Sequence, residues 1–170
     1  MGASKFLIYQ DGADADKAFC TAVADAQLWR GSGGNTGTIA EKAAAGFLVV
    51  SADPVAQEQA EKMGAAILDG RDEQWAEILE KDGPVGAIAV KGGPREHHVR
   101  IPDVPGGHAD LDAAVAAATA GVLAVGERVV GEAFGSYRTD GVRVLGGTLI
   151  VPTEGAQVHT GWEFFGVSRR

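Results

Sequence analysis

The sequence predicts an α/β fold in a single domain. A mostly parallel sheet built from βαβ units is expected over residues 1–126, followed by an antiparallel β-meander over residues 127–170. Three observations carry this. Short apolar runs alternate with amphipathic stretches about ten residues long, the pattern of βαβ units. Near the C-terminal end, Asp140-Gly141 sits between two β-rich runs and marks a two-residue hairpin. The chain has 170 residues, 45% hydrophobic and 22% charged, enough for one sizeable core.

Taken in order, Lys5 to Gln10 is a short apolar run closed by the turn pair Asp11-Gly12, and reads as a strand. Asp14 offers an N-cap. Ala15, Ala18, Phe19, Ala22, Val23, Ala26 and Trp29 follow at helical spacing, and Gly31 ends the pattern. Cys20 lies inside this helix, where a packed, inert thiol is expected. As the only cysteine it can form neither an internal disulfide nor a Cys-based zinc site.

Residues 31–37 (GSGGNTG) form the most Gly-rich stretch, and lead into the capping-box pattern Thr38-Ile39-Ala40-Glu41 and a short helix ending at Gly46. A Gly-rich loop before a helix N-terminus can cradle an anion with free backbone N–H groups, and a plain connection is the other reading. The loop lacks the Lys-Ser/Thr pair of a phosphate-binding Walker loop, and it does not complete GxGxxG.

Gly46 to Ala52 is a continuous apolar run, the mark of a strand covered on both faces. Asp53-Pro54 reads as the start of a helix that Gly64 closes, with Ala56, Ala60 and Met63 on its inner face. A short strand over Ala65 to Leu68 is expected next. Asp72 and Glu73 then open a helix with Trp75, Ile78 and Leu79 as its stripe. Asp82-Gly83-Pro84 terminates it, and Val85 to Val90 is another β run.

A long loop is expected from Lys91 to His108, and an Ala-rich helix from Ala109 to Gly126. Beyond the hairpin at Asp140-Gly141, Gly146-Gly147 predicts a second turn. Trp162 to Val167 reads as the last strand, with Trp162, Phe164 and Phe165 as core or interface aromatics.

The chemistry concentrates between Pro84 and Asp112. In open α/β sheets ligands bind beyond the carboxyl ends of the strands, which puts the 91–112 segment at the functional edge. Unstructured connections of that length in compact domains are usually functional or disordered. His98 and His108 are the candidate acid–base groups, because imidazole titrates near neutral pH, with Asp103 or Asp110 as orienting partner. The candidate ligand-binding set is Lys91, Gly92, Gly93 and Arg100, joined by Gly34, Asn35 and Thr36 from the Gly-rich loop.

His97, His98, His108, Asp103, Asp110 and Asp112 also offer enough donors for a divalent metal. Their spacing matches no metal signature, and adjacent His97 and His98 point apart on extended backbone, so no metal ligand is assigned. A solvated or purely structural loop is the competing reading. His159 stands apart and reads as a surface or capped histidine. No cofactor is implied.

Net charge of −8 argues against nucleic acid and anionic membranes as partners. The opening MGASKFLIYQDG lacks the apolar stretch of a secretion signal, and a cytoplasmic protein is expected. Two functions fit these residues. One is an enzyme or binding protein acting on a small anionic metabolite at the 91–112 segment. The other is a homo-oligomeric, non-catalytic module whose Ala-rich helix and aromatic C-terminal strands form the subunit interface.

Overall fold

The apolar runs become strands, but their pairing departs from the expected parallel order. In the computed structural model, which describes residues 2–30, 36–70 and 72–170, the strands are β1 (Ala3–Asp11), β2 (Phe47–Ala56), β3 (Val85–Lys91), β4 (Arg95–Ile101), β5 (Arg128–Val129), β6 (Phe134–Asp140), β7 (Arg143–Glu154) and β8 (His159–Arg169). The α-helices are α1 (Ala15–Arg30), α2 (Gln57–Leu68) and α3 (Leu111–Thr119), and two 3₁₀ segments cover Ile39–Lys42 and Glu73–Leu79. No helix among the described residues is long and apolar enough to cross a membrane. The chain packs as two units, Met1–Gly93 with His159–Arg170, and Pro94–Val158.

The first unit holds a four-stranded sheet in the order β1-β8-β3-β2. Among the described residues only β2 and β3 run parallel; β8 pairs antiparallel with both β1 and β3. The mostly parallel expectation fails because the strand beside β3 comes from the far end of the sequence, which local patterning cannot reveal. Trp162, Phe164 and Phe165 are buried in this unit's core.

Helix α1 starts where Asp14 Oδ1 accepts from the Lys17 N–H at 2.9 Å. Ala18, Phe19, Ala22 and Val23 cover one face of the sheet with Phe47 and Phe164. The inner stripe stops at Ala26: Leu28 is 80% exposed and Trp29 83%. Cys20 is exposed, not packed, because one step round the helix from Phe19 turns it off the buried stripe.

The other face carries α2, and Asp53-Pro54 does not start it. Those residues stay in β2, where the pairing to β3 slips between Val49 and Ser51 and again between Ser51 and Val55. An irregular strand tolerates a proline that has no N–H to give. Helix α2 then runs through Gly64 to Leu68, so the expected strand at 65–68 is its last turn, burying Ile67 and Leu68.

Gly64 is a packing residue. A Cβ there would sit 3.1 Å from the Phe165 ring, and a Cβ on Gly86 of β3 would sit 2.2 Å from it. Phe165 fills the space that two glycines leave between helix and sheet.

Beside the Thr38-capped 3₁₀ turn, Lys42 is fully buried and its Nζ donates to the carbonyls of Glu80, Lys81 and Gly83 at 3.0, 2.7 and 2.9 Å. Burial lowers the pKa of its ammonium, partly offset by Asp82 and Glu41.

The second unit is built on β7, which pairs antiparallel with β4, β5 and β6. The expected loop from Lys91 to His108 therefore contains a strand, β4. The predicted hairpin is present, with Asp140 opposite Arg143 and Gly141 at φ +61°. Gly146-Gly147 is not a second turn but the interior of β7. At Gly147 (φ +134°) a Cβ would lie 2.6 Å from Tyr137 Cα, a crossing open only to glycine. Helix α3 starts at Asp110, whose Oδ1 accepts from the Ala113 N–H at 2.8 Å, and ends at Thr119, short of the expected Gly126. Its Ala114 packs with Ile101, Val144, Leu149 and Val151.

Candidate functional site

Alternation along β4 divides the predicted histidines. Arg95, His97, Val99 and Ile101 turn to the covered side, while Glu96, His98 and Arg100 are exposed.

On the covered side, the side chain of Glu127 is fully buried and gathers the polar groups around it. Its carboxylate accepts from Arg95 Nε and Nη2 (2.7 and 2.6 Å), His97 Nε2 (2.7 Å), Thr153 Oγ1 (2.6 Å) and the Ala124 N–H (2.8 Å). These donors, Arg95 foremost, hold the carboxyl far below the usual carboxylate range. His97 is thus committed to a saturated structural network.

The candidate acid–base residues occupy three different settings. His108 is buried, bridges to Val144 through its backbone, and donates from Nε2 to the Pro102 carbonyl at 2.8 Å. Asp103 is exposed beside Arg100, 3.5 Å from its Nη2. His98 is exposed on β4, opposite Ile150. Among the described residues no group of three or more His, Cys, Asp or Glu side chains is placed to hold a metal ion.

The structure does bring His98 and Arg100 together. Both line a cleft of about 530 Å³ in the second unit with Gly135, Ser136, Thr148 and Ile150.

The remaining candidates lie in the first unit or outside the described residues. Gly93 is closely approached, but by protein: a Cβ there would meet the Tyr9 ring at 2.5 Å. Its N–H donates to Thr160 Oγ1 at 3.1 Å. Gly92 takes a left-handed φ of +74°, and Lys91 ends β3 opposite His159. Thr36 hydrogen-bonds the Thr38 hydroxyl at 2.8 Å, which supports the capped turn. Gly34 and Asn35 lie outside the described residues. His159 donates to the Gly161 carbonyl at 3.0 Å and stands edge-on to Trp162, a capped histidine.

The residue that sequence reasoning passed over is Glu163. It sits mid-way along β8, between Tyr9 on β1 and Ile88 on β3, on the face that α2 covers. It is 2% exposed, and its Oε2 has no hydrogen-bond partner. A buried carboxylate oxygen without a partner is costly, so the site favours the protonated form. Burial first, and the charge of Glu61 second, push its pKa up to about 7.

Glu163 lines a cavity of about 480 Å³ with Leu7, Tyr9, Gln57, Glu61, Lys62 and Ala65. Tyr9 is a fixed wall. Its hydroxyl donates to Thr160 Oγ1 at 3.3 Å, and a Cβ on either Gly93 or Gly161 would collide with it. A sequence signal existed: Glu163 is the one charged residue in the run WEFFGV, and a lone charge in a core strand is the informative exception.

Compared with protein-family models, with curated proteins and with solved structures, this chain matches none.

Proposed function

We propose that this protein binds or transforms a small molecule in the first unit, with the carboxyl of Glu163 as its acid–base group. The single observation behind this is a carboxyl with an unpartnered oxygen, buried in the sheet yet lining an enterable cavity. A group that titrates near neutral pH can take or give a proton at the working pH of most enzymes. Apolar walls with a few convergent polar groups are the usual make-up of small-molecule sites.

The test is a ligand-observed NMR screen of small acids, amines and alcohols against the native chain and Glu163→Leu, with the Glu163 carboxyl followed by ¹³C NMR against pH. Binders lost in the leucine variant and a carboxyl titrating near pH 7 are expected. Ordinary titration near pH 4.5, with binders indifferent to the substitution, refutes the reading.

A second reading keeps the anionic metabolite at the 91–112 segment, and the convergence of His98 and Arg100 on one cleft favours it. Under it, Arg100→Ala weakens phosphate or carboxylate binding severalfold. Homo-oligomerisation is compatible with either site: Leu28 and Trp29 stand exposed near the end of α1. Light scattering on the full chain reports it.

A further inference from the structure

We infer that the Glu163 cavity takes a small organic cation, a protonated amine on a compact apolar body, with its ammonium group against the Glu163 carboxylate. This rests on the reading of Glu163 as the working group of the site and adds the class of ligand.

Three observations converge on a cation. First, Glu163 Oε2 is buried and lacks a donor, so in the ionised form it calls for a ligand that supplies one. An ammonium group supplies up to three hydrogen bonds and the opposite charge together. Second, the two charges facing Glu163 are Glu61 and Lys62, and the positive one is already paired. From α2 come Gln57, Glu61 and Lys62; from β1 comes the Tyr9 phenol; β3 contributes only apolar Ile88.

Gln57 is turned to Glu61 at 3.4 Å, and Lys62 is paired with Glu58 at 2.6 Å, so an anionic ligand would have to compete with Glu58 for the Lys62 ammonium. An anion would face the carboxyls of both Glu61 and Glu163. Third, Leu7, Ala65 and the Tyr9 ring give apolar walls for the body of the ligand. An aromatic wall also attracts a cation.

The linkage has a definite sign. An ammonium ion favours the ionised carboxyl, so binding expels a proton wherever Glu163 is protonated beforehand. Apparent affinity should fall as pH drops below the Glu163 pKa, approaching about tenfold per pH unit. Above that pKa it should level off while the amine keeps its charge.

The experiment is isothermal titration calorimetry of the full chain with three probes of one shape, benzylamine, benzyl alcohol and benzoate, at pH 7.5 and 5.5. Benzylamine is expected to bind tightest at pH 7.5, to weaken at least fivefold at pH 5.5 with proton release, and to weaken at least tenfold in Glu163→Gln. Glu61→Gln, a surface change that leaves the fold intact, should weaken it by a smaller factor and lower the Glu163 pKa.

Equal or tighter binding of benzyl alcohol or benzoate overturns the inference, as does benzylamine binding that ignores Glu163→Gln. If Glu163 titrates near pH 7 and benzylamine does not bind, the cation falls while the acid–base reading stands. If Glu163 titrates as an ordinary carboxylate, both fall.

Discussion

Replacing Glu127 by alanine removes the carboxylate on which five hydrogen bonds in the second unit converge. Adding five charge-assisted bonds at full value would overstate the loss, because two of the donor side chains can return to water. Arg95 and His97 keep 23% and 17% of their side-chain surface exposed. Thr153 is completely buried and keeps no such access. The Thr153 hydroxyl would keep only its long 3.4 Å bond to the Arg95 carbonyl and the Ala124 N–H would lose its acceptor, at about 1–3 kcal/mol apiece. The expected total is about 3–5 kcal/mol, the range for breaking one side of a buried ion pair. Glu127→Gln retains one acceptor oxygen and should cost about half as much.

Tryptophan fluorescence is the wrong probe, since Trp29, Trp75 and Trp162 all belong to the first unit. Hydrogen exchange read by mass spectrometry over residues 95–101 and 143–154 is the right one. A loss of this size should speed exchange there on the order of a hundredfold or more. Acceleration below about threefold would refute the claim that this carboxylate holds β4 and β7 together. The acid dependence has a fixed sign. The folded pKa lies below the ordinary value of 4.5, so the stabilisation is complete above that pH and drains away as pH falls beneath it. The gap between native and Glu127→Gln should therefore shrink in acid.

Glu163 behaves in the opposite sense. Its folded pKa of about 7 exceeds the unfolded value of 4.5, so the native chain loses stability as pH rises from 4.5 towards 7, by about 3 kcal/mol at most. Urea denaturation should show Glu163→Gln more stable than native at pH 8 and equal to it near pH 4; a constant difference across pH sinks the assignment. Lys42→Met strips three carbonyls of their donor and should cost about 3–5 kcal/mol in the same assay; a loss under 1 kcal/mol would show that water or relaxation replaces the ammonium. Gly86→Ala forces a methyl to 2.2 Å from a buried ring and should destabilise by about 1–3 kcal/mol, with Phe165→Leu restoring part of the loss in the double variant.

Local features were legible in the sequence because one stretch of chain decides them. The caps at Asp14 and Thr38 and the Asp140-Gly141 hairpin all follow from side chains bonding their own backbone or from turn sterics. Strand β4 was illegible for a physical reason. Its covered face holds Arg95 and His97, polar residues made tolerable by Glu127, so the run REHHVRI looks solvated. Gly64 reads as a helix stop because glycine usually is one, and only the Phe165 ring beneath it explains why this helix continues.

The choice of candidate residues follows the same logic. Chemistry was sought where titratable residues crowd together, and they crowd on β4 and the turn after it, where hydrogen bonds within the second unit absorb several of them. Glu163 stands alone in an apolar strand, and its raised pKa comes from burial and from Glu61 on α2, a contact between distant parts of the chain.

The place of β8 bears on how this protein is made. The strand occupies the interior of its sheet, between β1 and β3, yet residues 159–169 are the last of the described strands to leave the ribosome. Until they emerge, β1 and β3 each present an open edge, and Glu163 has no cavity to line. At the usual pace of synthesis that interval lasts seconds, long enough for exposed edges to recruit the wrong partner. The second unit, contained wholly within Pro94–Val158, is synthesised during that wait. Its local hairpin β6–β7 can form first, so the nascent chain is expected to acquire its second unit before its first, and to depend on chaperones while the sheet of the first unit lacks β8.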